Sequence, residues 1–151
     1  MCASVTSPGG RNGDGRIKQG TTAFVGNDIY NADATSQTVQ GAKPRGYVIK
    51  FTISIQNDAS RADAFAVLPT GAASTMYSIK YFHGTTNITA AVVAGTFRTP
   101  SVAPGLAYAI KVKVKVLSTA TVGSSVSRLV AITSQSDGSK LDAVRFIGRR
   151  L

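Results

Sequence analysis

The amino-acid sequence predicts an all-β protein, folded as a sandwich of two antiparallel sheets with about seven to nine strands. Glutamate, a strong helix former, is absent from the 151 residues, whereas the strand-favouring Thr, Val, Ile and Tyr are abundant. Several segments alternate apolar and polar residues, as strands with one buried face do. Turn-forming Gly, Pro, Asn, Asp and Ser separate these segments at short intervals, which is typical of a sandwich.

A chain of this length corresponds to one ordinary domain. Residues 1–15, MCASVTSPGGRNGDG, are rich in glycine and contain a proline, so they are predicted to be a flexible arm. Residues 16–151 then form the single domain. Cys2 is the only cysteine, which excludes an intrachain disulfide.

The predicted strands follow one another with short connections. Alternation is clear over residues 47–56, where the odd positions are apolar and the even positions mostly polar. Other segments combine β-favouring residues with flanking turn signals. They are residues 16–18, 22–25, 62–68, 75–82, 88–93, 96–98, 126–133 and 141–147. Residues 26–46 are mainly polar and turn-forming, and no strand is predicted there.

The stretch 106–117, LAYAIKVKVKVL, is predicted to be a long half-buried strand. Its apolar face consists of Tyr108, Ile110, Val112, Val114 and Val116. Lys111, Lys113 and Lys115 fall on the other face, spaced at roughly twice the strand rise, about 7 Å. Such lysines keep a strand soluble and discourage aggregation between sheets, which is the interpretation favoured here. The alternative is that they bind a polyanion.

Four short motifs follow one another over residues 45–147. They are FTISIQND at 51–58 with ADAF at 62–65, VAPG at 102–105, STATVGSS at 118–125, and AITS at 131–134 followed by Asp137 and KLDAV at 140–144. In this order and spacing they resemble the Ig-like modules of bacterial and archaeal surface proteins, namely the NEW3-type, DUF11 and CARDB-like β-sandwich domains. The resemblance implies an Ig-like sandwich that acts as an extracellular structural or interaction module without catalysis.

The expected location is therefore extracellular or at the cell surface. Residues 1–4, MCAS, are not a basic segment followed by an apolar stretch, so no secretion signal is visible. No apolar run approaches the roughly 18 residues that span a bilayer, and no membrane insertion is expected.

The chain is strongly basic. Seventeen Lys and Arg against seven Asp give a net charge of +10, which favours attraction to nucleic acid, acidic glycans or anionic lipid. The basic residues are scattered along the sequence, so charge alone identifies no partner.

The residues that catalysis commonly requires are scarce, and the chain is predicted not to be an enzyme. Hydrolysis by paired carboxylates usually draws on Glu and Asp, and the chain has no Glu. His83 is the only histidine, and no G-x-S-x-G elbow accompanies it. Phosphate-binding glycine loops of the two common kinds are absent. One Cys and one His are too few for a zinc site, and no cofactor is expected.

Calcium is the one metal that the sequence leaves open. Asp14, Asp28 and Asp33 supply the hard oxygen ligands that calcium prefers, and Asn12, Asn27 and Asn31 lie beside them. Their spacing does not match an EF-hand. The alternative is turn formation, in which Asn and Asp side chains bond to their own backbone.

Two functions are consistent with these observations. The first is a structural module that associates with copies of itself, or with a neighbouring surface protein, through the arm of residues 1–15 and through sheet edges. Such contacts would build a filament or an array. The second is a polyanion-binding module that uses Lys111, Lys113 and Lys115.

Overall fold

Nine strands and one short helix form a two-layer sandwich in the computed structural model, which describes residues 13–151. The elements are β1 (Gly13–Gln19), β2 (Thr38–Lys43), β3 (Val48–Asn57), β4 (Phe65–Thr70), β5 (Tyr77–His83), β6 (Thr86–Asn87), α1 (Thr89–Ala94), β7 (Ala107–Val116), β8 (Ser125–Ser134) and β9 (Leu141–Arg150). The predicted all-β sandwich is confirmed.

The two sheets contain five and four strands. The five-stranded sheet has the order β1-β3-β7-β5-β6, and the pairs formed along it are antiparallel. The four-stranded sheet has the order β2-β9-β8-β4, in which β2 runs parallel to β9. The predicted antiparallel arrangement therefore holds for the other strand pairs, and β2 with β9 is the exception. The chain crosses between the sheets through residues 20–37 and enters β2 in the direction of β9.

Alternating side chains of both sheets fill the core between them. The rings of Phe51 on β3 and Phe146 on β9 lie 5.2 Å apart, and the ring of Tyr81 on β5 lies 6.3 Å from that of Phe146. Aromatic pairs at such distances add to the stability that burial alone confers. These contacts join the two sheets at the centre of the domain.

The strand predicted over residues 106–117 is β7, and its predicted division into an apolar face and a lysine face is confirmed. Ile110, Val112, Val114 and Val116 are fully buried, whereas Lys111, Lys113 and Lys115 are exposed. Tyr108 is only half-buried, because it lies at the rim of the core against His83 and Phe97.

One predicted strand is a helix. Residues 88–93 contain β-branched residues, but the chain forms α1 there, with Val92 buried and three alanines that favour helix. Gly95 ends the helix in the left-handed conformation and donates its N–H to carbonyls of the last turn. Residues 22–25 and 96–98 are not strands either. They contribute only the isolated bridges of Val25 with Ile17 and of Arg98 with Ala66.

The start of the domain also differs from the prediction. Residues 1–12 of the predicted arm lie outside the described residues. Residues 13–15 belong to β1, because they pair with the end of β3, and they are buried. Strand β2 lies within residues 26–46, where none was predicted. Within residues 13–151 no helix has the length and apolar character needed to cross a membrane.

Candidate functional site

The antiparallel register gathers lysines from three neighbouring strands onto the outer face of the five-stranded sheet. Lys50 on β3 pairs with Lys113 on β7, which pairs in turn with Lys80 on β5. Lys111 and Lys115 flank Lys113 along β7, and these five exposed lysines are called the basic face below. The sequence revealed only the three that lie on one strand.

Three of these lysines form a row perpendicular to the strands. Directly opposed residues on one sheet face have Cβ atoms about 4.5–5.5 Å apart, and like charges at this separation are destabilising. In the part of the chain that is described, no carboxylate forms an ion pair with Lys50, Lys80 or Lys113. The row therefore carries three positive charges without an internal counter-charge.

Two aromatic rings border the basic face, and each makes cation–π contacts with neighbouring basic side chains. The Nζ atom of Lys113 lies 4.8 Å from the ring centre of Phe82. Towards β1, the Nζ atom of Lys18 lies 4.8 Å from the ring centre of Phe24, with the guanidinium of Arg16 on the same ring at 5.5 Å. A shallow groove of about 540 Å³ runs over this region, lined by Lys50, Lys111 and Lys113, by Phe82, and by parts of residues 20–21 and 84–85.

A second cluster of charged side chains is acidic. Asp14 on β1, Asp28 in the loop before β2 and Asp58 just after β3 place one carboxylate oxygen each within 4.8 Å of one another. These three residues are called the acidic cluster. Register positions Asp14 next to the end of β3, because Gly13 pairs with Asn57, the residue before Asp58. Asp28 is exposed, Asp58 is half-buried and Asp14 is fully buried.

Hydrogen bonds hold the three segments of the acidic cluster together. The backbone N–H of Asp28 donates to Oδ2 of Asp14 at 2.9 Å, and the hydroxyl of Tyr30 donates to Oδ2 of Asp58. The other oxygen of Asp14, Oδ1, is buried and accepts no hydrogen bond within the described part of the chain. Burial raises the pKa of Asp14 to about 7, and the nearby carboxylates of Asp58 and Asp142 act in the same direction. Burial and the hydrogen bond to Asp58 also raise the pKa of Tyr30.

A buried network lies next to the acidic cluster. Asp142 on β9 accepts hydrogen bonds from the N–H of Gly15 on β1 at 2.7 Å and from Nε2 of Gln37 at 2.7 Å. It also accepts from the N–H groups of Asn31 and Ala143. Burial raises the pKa of Asp142, and these hydrogen bonds oppose the rise. The network joins both sheets to the loop that carries Asp28.

The predicted calcium ligands are only partly brought together. Asp14 and Asp28 belong to the acidic cluster, but Asp33 does not: it is exposed, and its carboxylate accepts the N–H and hydroxyl of Thr35 in a local turn. This turn lowers the pKa of Asp33 through its backbone and side-chain hydrogen bonds. Asp58 was missed, although its place in the Asn57-Asp58 turn after a strand was visible in the sequence.

His83, the single histidine, contacts a tyrosine ring and a backbone carbonyl. Its ring stacks on that of Tyr108 with centres 4.0 Å apart, and Nδ1 lies 2.9 Å from the backbone oxygen of Ala109. These two contacts orient the ring of His83 at the end of β5.

The fold and its surfaces define a β-sandwich module with one strongly basic sheet face. A scan against protein-family models and a search of the curated proteins found no match. Among solved structures, the N-terminal domain of PorA is similar, with a TM-score of 0.56 and 13% identity over 90% of this chain and 96% of that chain. A family 123 glycoside hydrolase from Clostridium perfringens has a TM-score of 0.55 and 9% identity, over 91% of this chain and 27% of that chain. At these identities the likeness concerns the fold alone.

Proposed function

We propose that this chain is a non-catalytic interaction module of a secreted or cell-surface protein, and that its basic face binds an acidic polysaccharide. The row formed by Lys50, Lys113 and Lys80 is the observation that carries the proposal. Opposed like charges destabilise a sheet, and nothing among the described residues neutralises them. A repeating anion laid across the strands would supply the missing counter-charges.

The chemistry of the face favours a polysaccharide over a nucleic acid. Nucleic-acid binding by a sheet normally uses exposed aromatic rings on which bases stack. Here the rings of Phe82 and Phe24 make cation–π contacts with Lys113 and Lys18, and these contacts compete with a base for the same ring faces. The face also carries lysine rather than arginine at its centre, and lysine acts as a point charge without the bidentate geometry that suits phosphate groups. The resemblance of the sequence to modules of surface proteins supports the same choice.

Binding to heparin, a sulfated polysaccharide, tests the proposal. The variant Lys50→Ser, Lys80→Ser, Lys113→Ser removes the row. The matched control, Lys43→Ser, Arg61→Ser, Arg149→Ser, removes three exposed basic residues that lie outside the basic face. Each variant lowers the net charge of +10 by three, so a difference between them reports position rather than total charge.

We expect the row variant to lose at least tenfold in affinity and the control to lose much less. For nucleic acids, the slope of log affinity against log salt becomes shallower by about 0.7–0.9 for each phosphate that a protein no longer neutralises, and a comparable change per lysine is expected here. Equal losses of heparin affinity in the two variants would show that only net charge matters and would refute the basic face as the binding site. Tighter binding to single-stranded DNA than to heparin at equal salt would overturn the choice of ligand.

Self-association is the second candidate. Strand β2 is the outer strand of the four-stranded sheet, so its six residues offer an edge to which another chain could add a strand. Because β1 begins at Gly13, removal of residues 1–12 keeps every described strand, and the shortened chain is expected to fold. Sedimentation velocity of the full and shortened chains tests the role of the arm. Monomers in both cases would rule this candidate out, and assembly that is unchanged by the deletion would exclude a role for the arm.

A further inference from the structure

We propose that the acidic cluster of Asp14, Asp28 and Asp58 binds a calcium ion. The three carboxylates come from three separate segments: β1, the loop before β2 and the turn after β3. An oxygen of each lies within 4.8 Å of the others. Three negative charges at this separation repel one another strongly unless a cation or protons neutralise them.

The unpaired oxygen of Asp14 points independently to a ligand. Asp14 has no exposed surface, and its Oδ1 atom accepts no hydrogen bond from residues 13–151. Buried carboxylate oxygens in folded proteins are normally paired, and burying an acceptor without a partner is unfavourable. The charges that act most strongly on Asp14 are the carboxylates of Asp58, Asp142 and Asp28, and each of them raises its pKa. A cation bound between the three aspartates would supply the missing partner.

Oxygen chemistry and size favour calcium. All three ligands are carboxylates, the hard donors that calcium and magnesium prefer, and no sulfur or imidazole is in the cluster. Calcium–oxygen bonds of about 2.3–2.6 Å let two ligands on opposite sides of the ion lie about 4.6–5.2 Å apart. Oxygen separations of up to 4.8 Å admit an ion with such bonds. Magnesium gives up its waters reluctantly and is seldom held in an all-protein cage, so calcium is the better match.

Calcium would fasten the loop before β2 to the body of the sandwich. Asp28 has a positive φ of 59° and is exposed. It donates its backbone N–H to Asp14, and two backbone hydrogen bonds between Val25 and Ile17 join the same loop to β1 three residues earlier. A bound ion would add direct links from Asp28 to both Asp14 and Asp58. Because the ion binds the folded state, it would raise the melting temperature. This role does not depend on the basic face or on its ligand.

Terbium, a luminescent substitute for calcium, provides a direct assay. The hydroxyl of Tyr30 contacts Asp58, and the chain has no tryptophan, so tyrosine excitation should sensitise terbium bound in the cluster. The diagnostic variant is Asp28→Asn, because asparagine keeps the shape of the side chain and tolerates the left-handed backbone. The matched control is Asp33→Asn, which removes an exposed aspartate from the same loop but outside the cluster.

We expect the parent protein to bind terbium, calcium to displace it, and equal magnesium to displace it far less. Asp28→Asn should weaken terbium binding at least tenfold, while Asp33→Asn leaves it within about twofold of the parent. Calcium should raise the melting temperature of the parent and of Asp33→Asn, with a smaller rise for Asp28→Asn. Absence of terbium binding to the parent overturns the proposal. Equal losses in the two variants, or an unchanged affinity in Asp28→Asn, overturn it as well.

Discussion

Replacement of Asp142 by asparagine tests the buried network that joins the two sheets. The carboxylate accepts four hydrogen bonds, one at Oδ2 from the N–H of Gly15 and three at Oδ1. An asparagine of the same shape can place its carbonyl oxygen on the side of the three donors. Its NH₂ group then faces the N–H of Gly15, so two donors meet and this hydrogen bond is lost.

The size of the effect follows from the charge of the acceptor. A hydrogen bond to a charged group contributes about 1.5–3 kcal/mol, against about 0.5–1.5 kcal/mol for a neutral pair. The lost bond and the weakening of the three that remain are partly offset, because the amide carries no charge that burial must desolvate. We therefore expect the free energy of unfolding to fall by about 2–4 kcal/mol. Total stabilities of about 5–15 kcal/mol make such a loss readily measurable.

Urea unfolding followed by circular dichroism measures this loss, provided that the slope with denaturant is unchanged. Asp137→Asn is the matched control, since Asp137 is exposed and its carboxylate bonds only to Ser139 in a local turn. Its effect should stay within about 0.5 kcal/mol. A loss below about 0.5 kcal/mol for Asp142→Asn would show that the four hydrogen bonds do not stabilise the junction.

Two further substitutions test the loop and the basic face. Gly26→Ala should destabilise by about 2–3 kcal/mol in thermal unfolding, because φ is 99° and the added Cβ would lie 2.8 Å from Oε1 of Gln37. Gly138→Ala, where the Cβ meets open space, should change stability by less than about 0.5 kcal/mol, and similar losses at both glycines would contradict this reasoning. Lys113→Glu should raise stability by about 0.2–1 kcal/mol at low salt, because it replaces two like-charge contacts by attractive ones. It should weaken heparin binding more than Lys43→Glu does, and a fall in stability would count against repulsion in the row.

Much of the strand architecture could be predicted because its signals are local. The alternation over residues 47–56 and 106–117 corresponds to β3 and β7, whose pairing forms the middle of the five-stranded sheet. The helix α1 was missed because its β-branched residues favour a strand locally. Its formation depends on the burial of Val92 and on the left-handed cap at Gly95.

Strand β2 was missed because its sequence, TVQGAK, carries no strong period. It is a strand because Thr38 pairs with Arg145 and the rest of the segment continues along β9. A close approach also constrains it: a Cβ on Gly41 would lie 2.6 Å from the side chain of Ile49. Both conditions come from parts of the chain that are distant in sequence.

The sequence by itself determined the β-sandwich class, the apolar and lysine faces of β7, and the positive charge, because each depends on residues that are neighbours along one strand or on composition. The tertiary structure decided which charges meet. Strand register placed Lys50 and Lys80 on either side of Lys113, and the loop before β2 carried Asp28 to Asp14 and Asp58. Local patterns do not specify register between distant strands, because register is set by the packing of the whole core.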